Sequence, residues 1–415
     1  MKFPRRKPSI GSVLATLAEL SLDLPRKRAL FSVAGLSIVA AGAAITFVFV
    51  YGTKAGQVPP PNINLSLAQN LANCESGASL QASQCYDVVM KEYFENNSPE
   101  SLLEQFRLAM EQNGQVRRDC HQVAHAIGRA TLVKLGNISD VFDLERNIDT
   151  CAGGVFHGAI EKMFRPDNDV PADEHISLSE FEAKVPTLCD QFETANLKSE
   201  CVHGVGHGAF YFLSDTGRSF EVCRQFPDTS DHFSCYSGVF MEYDLSGASI
   251  KDNASDPDFP CDTLENPYRN PCYYVLSFRL VDLGILQDEI VPICRKAESR
   301  AAQALCVRGY GIFYLAHEAL AKGYDPVVAF CETLDRTDSR VCAEAVASRL
   351  AAYSQGGEHA MPFCTEFSSN YIRGRCFAYA ADVLRVGHGI NAGVIKEECG
   401  KYLEGRYREE CLKAI

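Results

Sequence analysis

Five of the ten histidines in this 415-residue chain lie shortly after three cysteines. His121 and His125 follow Cys120, His157 follows Cys151, and His203 and His207 follow Cys201. An i, i+4 spacing places two imidazoles on one face of a helix. Neutral imidazoles so placed can chelate Zn, Cu or non-haem Fe. Glu161 stands four residues after His157, where a carboxylate can ligate an ion, orient an imidazole or serve as a general base. Glu242 is a further carboxylate candidate. The pattern predicts a metal site within 120–211, with His121, His125, His157, His203 and His207 as ligands and Glu161 as the candidate catalytic residue. The competing expectation is a structural network of buried, hydrogen-bonded imidazoles.

Aligning Cys151-Ala-Gly-Gly-Val-Phe-His157-Gly with Cys201-Val-His-Gly-Val-Gly-His207-Gly puts His157 and His207 in the same register. His125 joins them after a one-residue deletion. The same column continues as Met241, Phe278 and Ile312, so it is polar only at its N-terminal end. Gly153, Gly154, Gly158, Gly204, Gly206 and Gly208 crowd these segments. Each costs about 1 kcal/mol of helix propensity. Close helix approach, or a ligand against the backbone, would explain that cost.

The elements that must position these residues are written in the cysteines. The chain has 18. Sixteen form pairs 11 or 12 residues apart, and from Cys189 the first members of successive pairs advance by 33 to 38 residues. That is the period of stacked αα-hairpins. Residues 325–354 illustrate one unit. Pro326 opens a short apolar stretch ending at Cys331, a polar turn follows, and a helical run from Val341 ends before Gly356-Gly357. A longer helix therefore begins near the second Cys of a pair, and a shorter one ends near the first.

Two bridging schemes are compatible with this geometry. One joins the cysteines flanking a turn, such as Cys331 to Cys342. The other joins the ends of one hairpin, such as Cys201 to Cys223. The first, preferred here, closes loops worth about 2–3 kcal/mol each. Cys120 and Cys151 stand outside the pattern, 31 residues apart, and are either bridged to one another or free thiolate ligands beside His121. Either scheme demands an oxidising compartment.

By period and cysteine placement, the stretch from Ser66 to Ile415 resembles the cysteine-rich branch of the tetratricopeptide-like αα-hairpin repeat proteins. The Trp of the tetratricopeptide signature is missing, since the chain has no Trp. The resemblance implies an all-α, right-handed solenoid of disulfide-stapled repeats. Its concave face, lined by the longer helices, would bind a protein or peptide partner. No particular chemistry is implied.

Residues 29–51 carry no charge, and at about 1.5 Å per residue they span a hydrocarbon core of roughly 30 Å. Seven basic and two acidic residues precede them, while Lys54 is the one basic residue between the run and Lys91. The positive-inside rule places 1–28 in the cytoplasm and the rest outside. The expected order is a cytoplasmic segment 1–28, a transmembrane signal-anchor 29–51, a Pro-rich linker 52–65 and an extracytoplasmic repeat domain 66–415. The expected location is a plasma or inner membrane, with the domain periplasmic or extracellular, or lumenal in a eukaryote. A formal charge of −13 excludes nucleic acid as a partner. Gly204-Val205-Gly206-His207-Gly208 follows no strand and is not a dinucleotide loop, and His317-Glu318 lacks the second His of a zinc-protease motif. The sequence thus predicts a membrane-anchored helical-repeat binding or scaffold protein with a possible transition-metal site. The alternatives are a metal-dependent hydrolase or oxidoreductase using Glu161, and a metal-free assembly factor.

Overall fold

The computed structural model describes residues 65–74, 79–145, 151, 153–164, 178–192, 194–353 and 357–413. The expected transmembrane segment, the cytoplasmic segment and all but Leu65 of the linker lie outside these residues. Among the described residues no helix is long and apolar enough to cross a membrane.

Every regular element described is helical. Ten of the helices form a sequential series: α1 (Ser79–Asn96), α2 (Cys120–Leu135), α3 (Gly154–Phe164), α4 (Ala195–Leu213), α5 (Thr229–Leu245), α6 (Arg269–Val275), α7 (Arg300–Tyr310), α8 (Arg336–Ala352), α9 (Asn370–Asp382) and α10 (Gly405–Lys413). Each packs against the next. Shorter helices such as Thr216–Cys223, Gln287–Cys294 and Asp325–Thr333 connect them, and the arrangement is repeat-like.

The helix starts share one device. Thr194, Asp228, Ser299, Asp335 and Ser369 cap α4, α5, α7, α8 and α9, each accepting a hydrogen bond from a backbone N–H of the first turn. Each cap lies seven residues before the second cysteine of its pair. The longer helices therefore begin two turns earlier than the cysteines suggested. α2 and α3 start instead at, or just after, Cys120 and Cys151.

All nine disulfides are present. Eight follow the short pairing, from Cys74–Cys85 to Cys399–Cys411, and tie the end of one helix to the body of the next. The ninth, Cys120–Cys151, joins the starts of α2 and α3, so no free thiolate remains for a ligand role. Cα–Cα separations run from 5.4 to 6.1 Å, within the range a disulfide spans.

The glycines explain how α2 to α5 approach. A Cβ on Gly128 would fall 2.0 Å from the carbonyl oxygen of Val155, and one on Gly158 would fall 1.9 Å from that of His125. Gly206 and Gly238 make the equivalent pair between α4 and α5. Contact between bare backbones draws the rows of imidazoles together. Only close approach is needed to account for these residues.

Candidate metal centre

Three i, i+4 rows carry the site. His121, His125 and Arg129 lie along α2, His157 and Glu161 along α3, and His203 and His207 along α4. Glu242 enters from α5. The five imidazoles are all buried, and so are Glu161, Glu242 and Arg129. The rings crowd one another. His157 and His207 stack at 4.8 Å between centroids, and His121 lies 4.6 Å from His125, 5.3 Å from His157 and 5.8 Å from His207. His203 closes the group, 4.9 Å from both His157 and His207. The structure thus brings together all five expected ligands, and the column continues to Phe278, 5.6 Å from the His121 ring.

Hydrogen bonding sets the tautomers. The Nδ1–H of His121 donates to the carbonyl oxygen of Cys151 at 2.6 Å. A carbonyl can only accept, so the proton resides on Nδ1 and Nε2 keeps a lone pair. Nδ1 of His125 stands 2.6 Å from Glu161 Oε1, which directs its proton there. Nδ1 of His203 meets the Ser234 carbonyl at 3.1 Å and Ser237 Oγ at 2.9 Å. Ser237 donates its own hydroxyl to that same carbonyl, so both oxygens accept from His203.

Two pairs of Nε2 atoms then stand close together, and in the first both nitrogens keep a lone pair. His121 Nε2 and His125 Nε2 are 3.0 Å apart, and His203 Nε2 and His207 Nε2 are 3.2 Å apart. Two nitrogens bound tetrahedrally to one ion at 2.0–2.1 Å lie about 3.3–3.4 Å apart. Nearby, His157 is fully buried, and among the described residues neither of its nitrogens makes a hydrogen bond. Its Nε2 lies 3.4 Å from the Glu200 carboxylate. One nitrogen each from His121, His125, His157 and His207 lies within 4.8 Å of the others. Tetrahedral binding would bring every pair to about 3.3–3.4 Å, so one ion would draw the widest pair in by up to about 1.4 Å.

The two carboxylates are driven apart. Burial would raise Glu161, but His125 and Arg129 outweigh it and hold the group below its usual range. Burial, then the charge of Glu161, pushes Glu242 well above the usual carboxylate range. Glu242 Oε2 lies 3.1 Å from His207 Nδ1, and Glu161 also pairs with Arg129, which in turn meets Asp87 at 2.8 Å. Burial keeps His121, His157 and His207 far below the ordinary histidine value and takes His203 down to about 3. Neutral imidazole is the form a metal binds.

Some participants were not evident in the sequence. Arg129 continues the His121–His125 row at i+8, a signal the spacing offered. The Cys151 carbonyl, Ser234 and Ser237 carried none. His317 reaches the Cys120–Cys151 bridge across 197 residues, its ring nitrogens 3.8 and 3.9 Å from Cys120 Sγ. Comparison with family models, curated proteins and solved structures finds no match for this chain.

Proposed function

We propose that this chain is a membrane-anchored, extracytoplasmic α-solenoid whose inner helices enclose a transition-metal centre. His121, His125, His157, His203 and His207 supply imidazole ligands to one ion or two. Glu161 and Glu242 serve as carboxylates behind the ligands, fixing their orientation and basicity.

One observation carries the reading. The Nε2 lone pairs of His121 and His125 face each other at 3.0 Å with both Nδ1 positions already committed. Neutral rings repel in that arrangement, and a cation between them removes the repulsion. A proton on His125 would relieve this pair but would leave both nitrogens of His157 unsatisfied. A cation takes one of those as well. The nitrogen-rich donor set suits Zn, Cu or Fe.

The role that fits best is a closed centre. All five rings are under a tenth exposed, and Glu161 is shut from solvent against His125 and Arg129. A general base needs access to a substrate proton. This argues for a structural, storage or electron-carrying metal over hydrolysis at Glu161. Nine disulfides suit the oxidising side of a membrane.

The deciding experiment is elemental analysis of the purified full-length protein, before and after reconstitution. At least one transition-metal equivalent per chain is expected, with a clear reduction in His157→Ala. Less than a tenth of an equivalent after reconstitution would return the cluster to a structural network.

A further inference from the structure

Charge is unevenly spread along the series of helices. α2 to α5 carry the imidazoles and buried carboxylates. α7, α8 and α9 together carry seven arginines against three acidic residues, in a chain of net charge −13. Three of those arginines, one from each helix, converge on a single carboxylate.

Glu344 of α8 is buried. Arg340 Nη1 donates to its two oxygens at 3.1 and 3.0 Å. Arg375 of α9 reaches Oε1 through Nε at 3.2 Å and Nη2 at 3.1 Å. Arg308 of α7 brings Nη2 to 3.8 Å from Oε2 and donates through Nη1 to the Tyr379 hydroxyl at 2.6 Å. One carboxylate accepts about four hydrogen bonds, whereas three guanidiniums offer about fifteen donors. Among the ion pairs of the described residues, this one negative charge faces three positive ones, two more than it balances.

A purely structural tie needs one arginine for one carboxylate. Bringing a second and a third guanidinium to the same group adds mutual repulsion, which an anion would relieve. The arginine side chains are 25%, 30% and 48% exposed for Arg308, Arg340 and Arg375, so a solute reaches them while Glu344 stays covered. Planar guanidinium forks match the geometry of a tetrahedral oxyanion.

We propose that Arg308, Arg340 and Arg375, aligned by Glu344, form a binding site for a doubly charged oxyanion of the phosphate class. Two uncompensated charges match a phosphate dianion, and Glu344 holds the forks in place before the ligand arrives. The site is separate from the imidazole cluster and does not depend on metal being bound there.

The test is calorimetric titration of the full-length protein with inorganic phosphate, with a phosphomonoester such as glycerol phosphate, and with acetate at matched ionic strength. Saturable phosphate binding is expected, at least tenfold tighter than acetate. A phosphomonoester that binds more tightly than phosphate identifies a ligand-borne group, and equal affinity identifies the free ion. The double variant Arg340→Gln with Arg375→Gln should lose at least tenfold in affinity. Arg375→Lys keeps the charge but loses the fork; it should weaken binding severalfold with an unchanged thermal midpoint. Arg107→Gln, remote in sequence and paired with Glu104 and Glu111, should bind as wild type. Binding that chloride displaces as well as phosphate does, or that survives the double variant, would overturn the site.

Discussion

Gly158 of α3 lies directly against the backbone of His125 of α2, so that a Cβ there would fall 1.9 Å from the His125 carbonyl oxygen. The helix that carries two of the proposed ligands and the helix that carries a third are thus in backbone contact. Gly158→Ala must push them apart. Overpacking of this kind costs about 1–3 kcal/mol. A lowered denaturation midpoint and weakened metal retention are expected together, because the displaced residue is itself a proposed ligand. Gly114→Ala, where a Cβ meets nothing within 4 Å, should leave both unchanged.

Arg129 and Glu161 form a buried ion pair behind His125. Removing one member leaves the other charged and unpaired in the interior. Arg129→Met should cost about 3–5 kcal/mol, measured by chemical denaturation. Glu161→Gln removes the charge that directs the His125 proton to Nδ1. Metal affinity should fall about 10–100-fold, as for other carboxylates behind a ligand. Unchanged affinity in Glu161→Gln would detach this carboxylate from the metal centre.

The buried imidazoles set a pH dependence of the metal-free protein. His203 is held down to about 3, first by burial, with the backbone hydrogen bond to Ser234 working the other way. Its ordinary value is about 6.5, so between these values the unfolded chain takes up a proton that the folded chain refuses. Its stabilising contribution is complete above about pH 6.5 and is lost as pH falls toward 3. Asp244, pushed up to about 7 by burial, contributes in the opposite sense over much of that range. The check is therefore a difference. Between pH 6 and 4, wild type should lose about 1.4 kcal/mol per pH unit more than His203→Gln. Equal slopes would show that His203 titrates normally in the fold.

The capping residues give a local stability test. Ser299 accepts from the backbone N–H of Ala302 at the start of α7. Ser299→Ala should cost about 1 kcal/mol, and Ser299→Asp should cost little. Thermal denaturation of the two variants checks this. Equal losses in both would mean that the serine acts through packing and not through its hydroxyl.

The bridge between α2 and α3 differs in kind from the other eight. Peptide mapping without reduction should recover Cys120 joined to Cys151, and Cys331 joined to Cys342. Replacing both Cys120 and Cys151 with Ser should disturb metal retention more than replacing Cys399 and Cys411. The former pair stands beside His121, whose Nδ1–H rests on the Cys151 carbonyl.

Much was legible in the chain itself. Cysteine spacing pointed to an all-helical, repeat-like array, because the spacing recurs with the helical hairpin; it favoured the short bridges but left a rival pairing open until the structure showed which cysteines meet. The i, i+4 histidines determined which faces carry imidazole, because helical periodicity is local. The five caps seven positions before a second cysteine were found in the structure, and they mark the helix starts more faithfully than the cysteines do. Three things waited for the tertiary structure. The glycines showed their purpose only once Gly128 and Gly158 met the backbone of a neighbouring helix. The direction of the lone pairs depended on acceptors such as the Cys151 carbonyl and Ser237, which carry no sequence signal. The meeting of Arg308, Arg340 and Arg375 on Glu344 came from the stacking of three helices. Each is a through-space contact between segments far apart along the chain, and only the packing of the helices decides which segments meet.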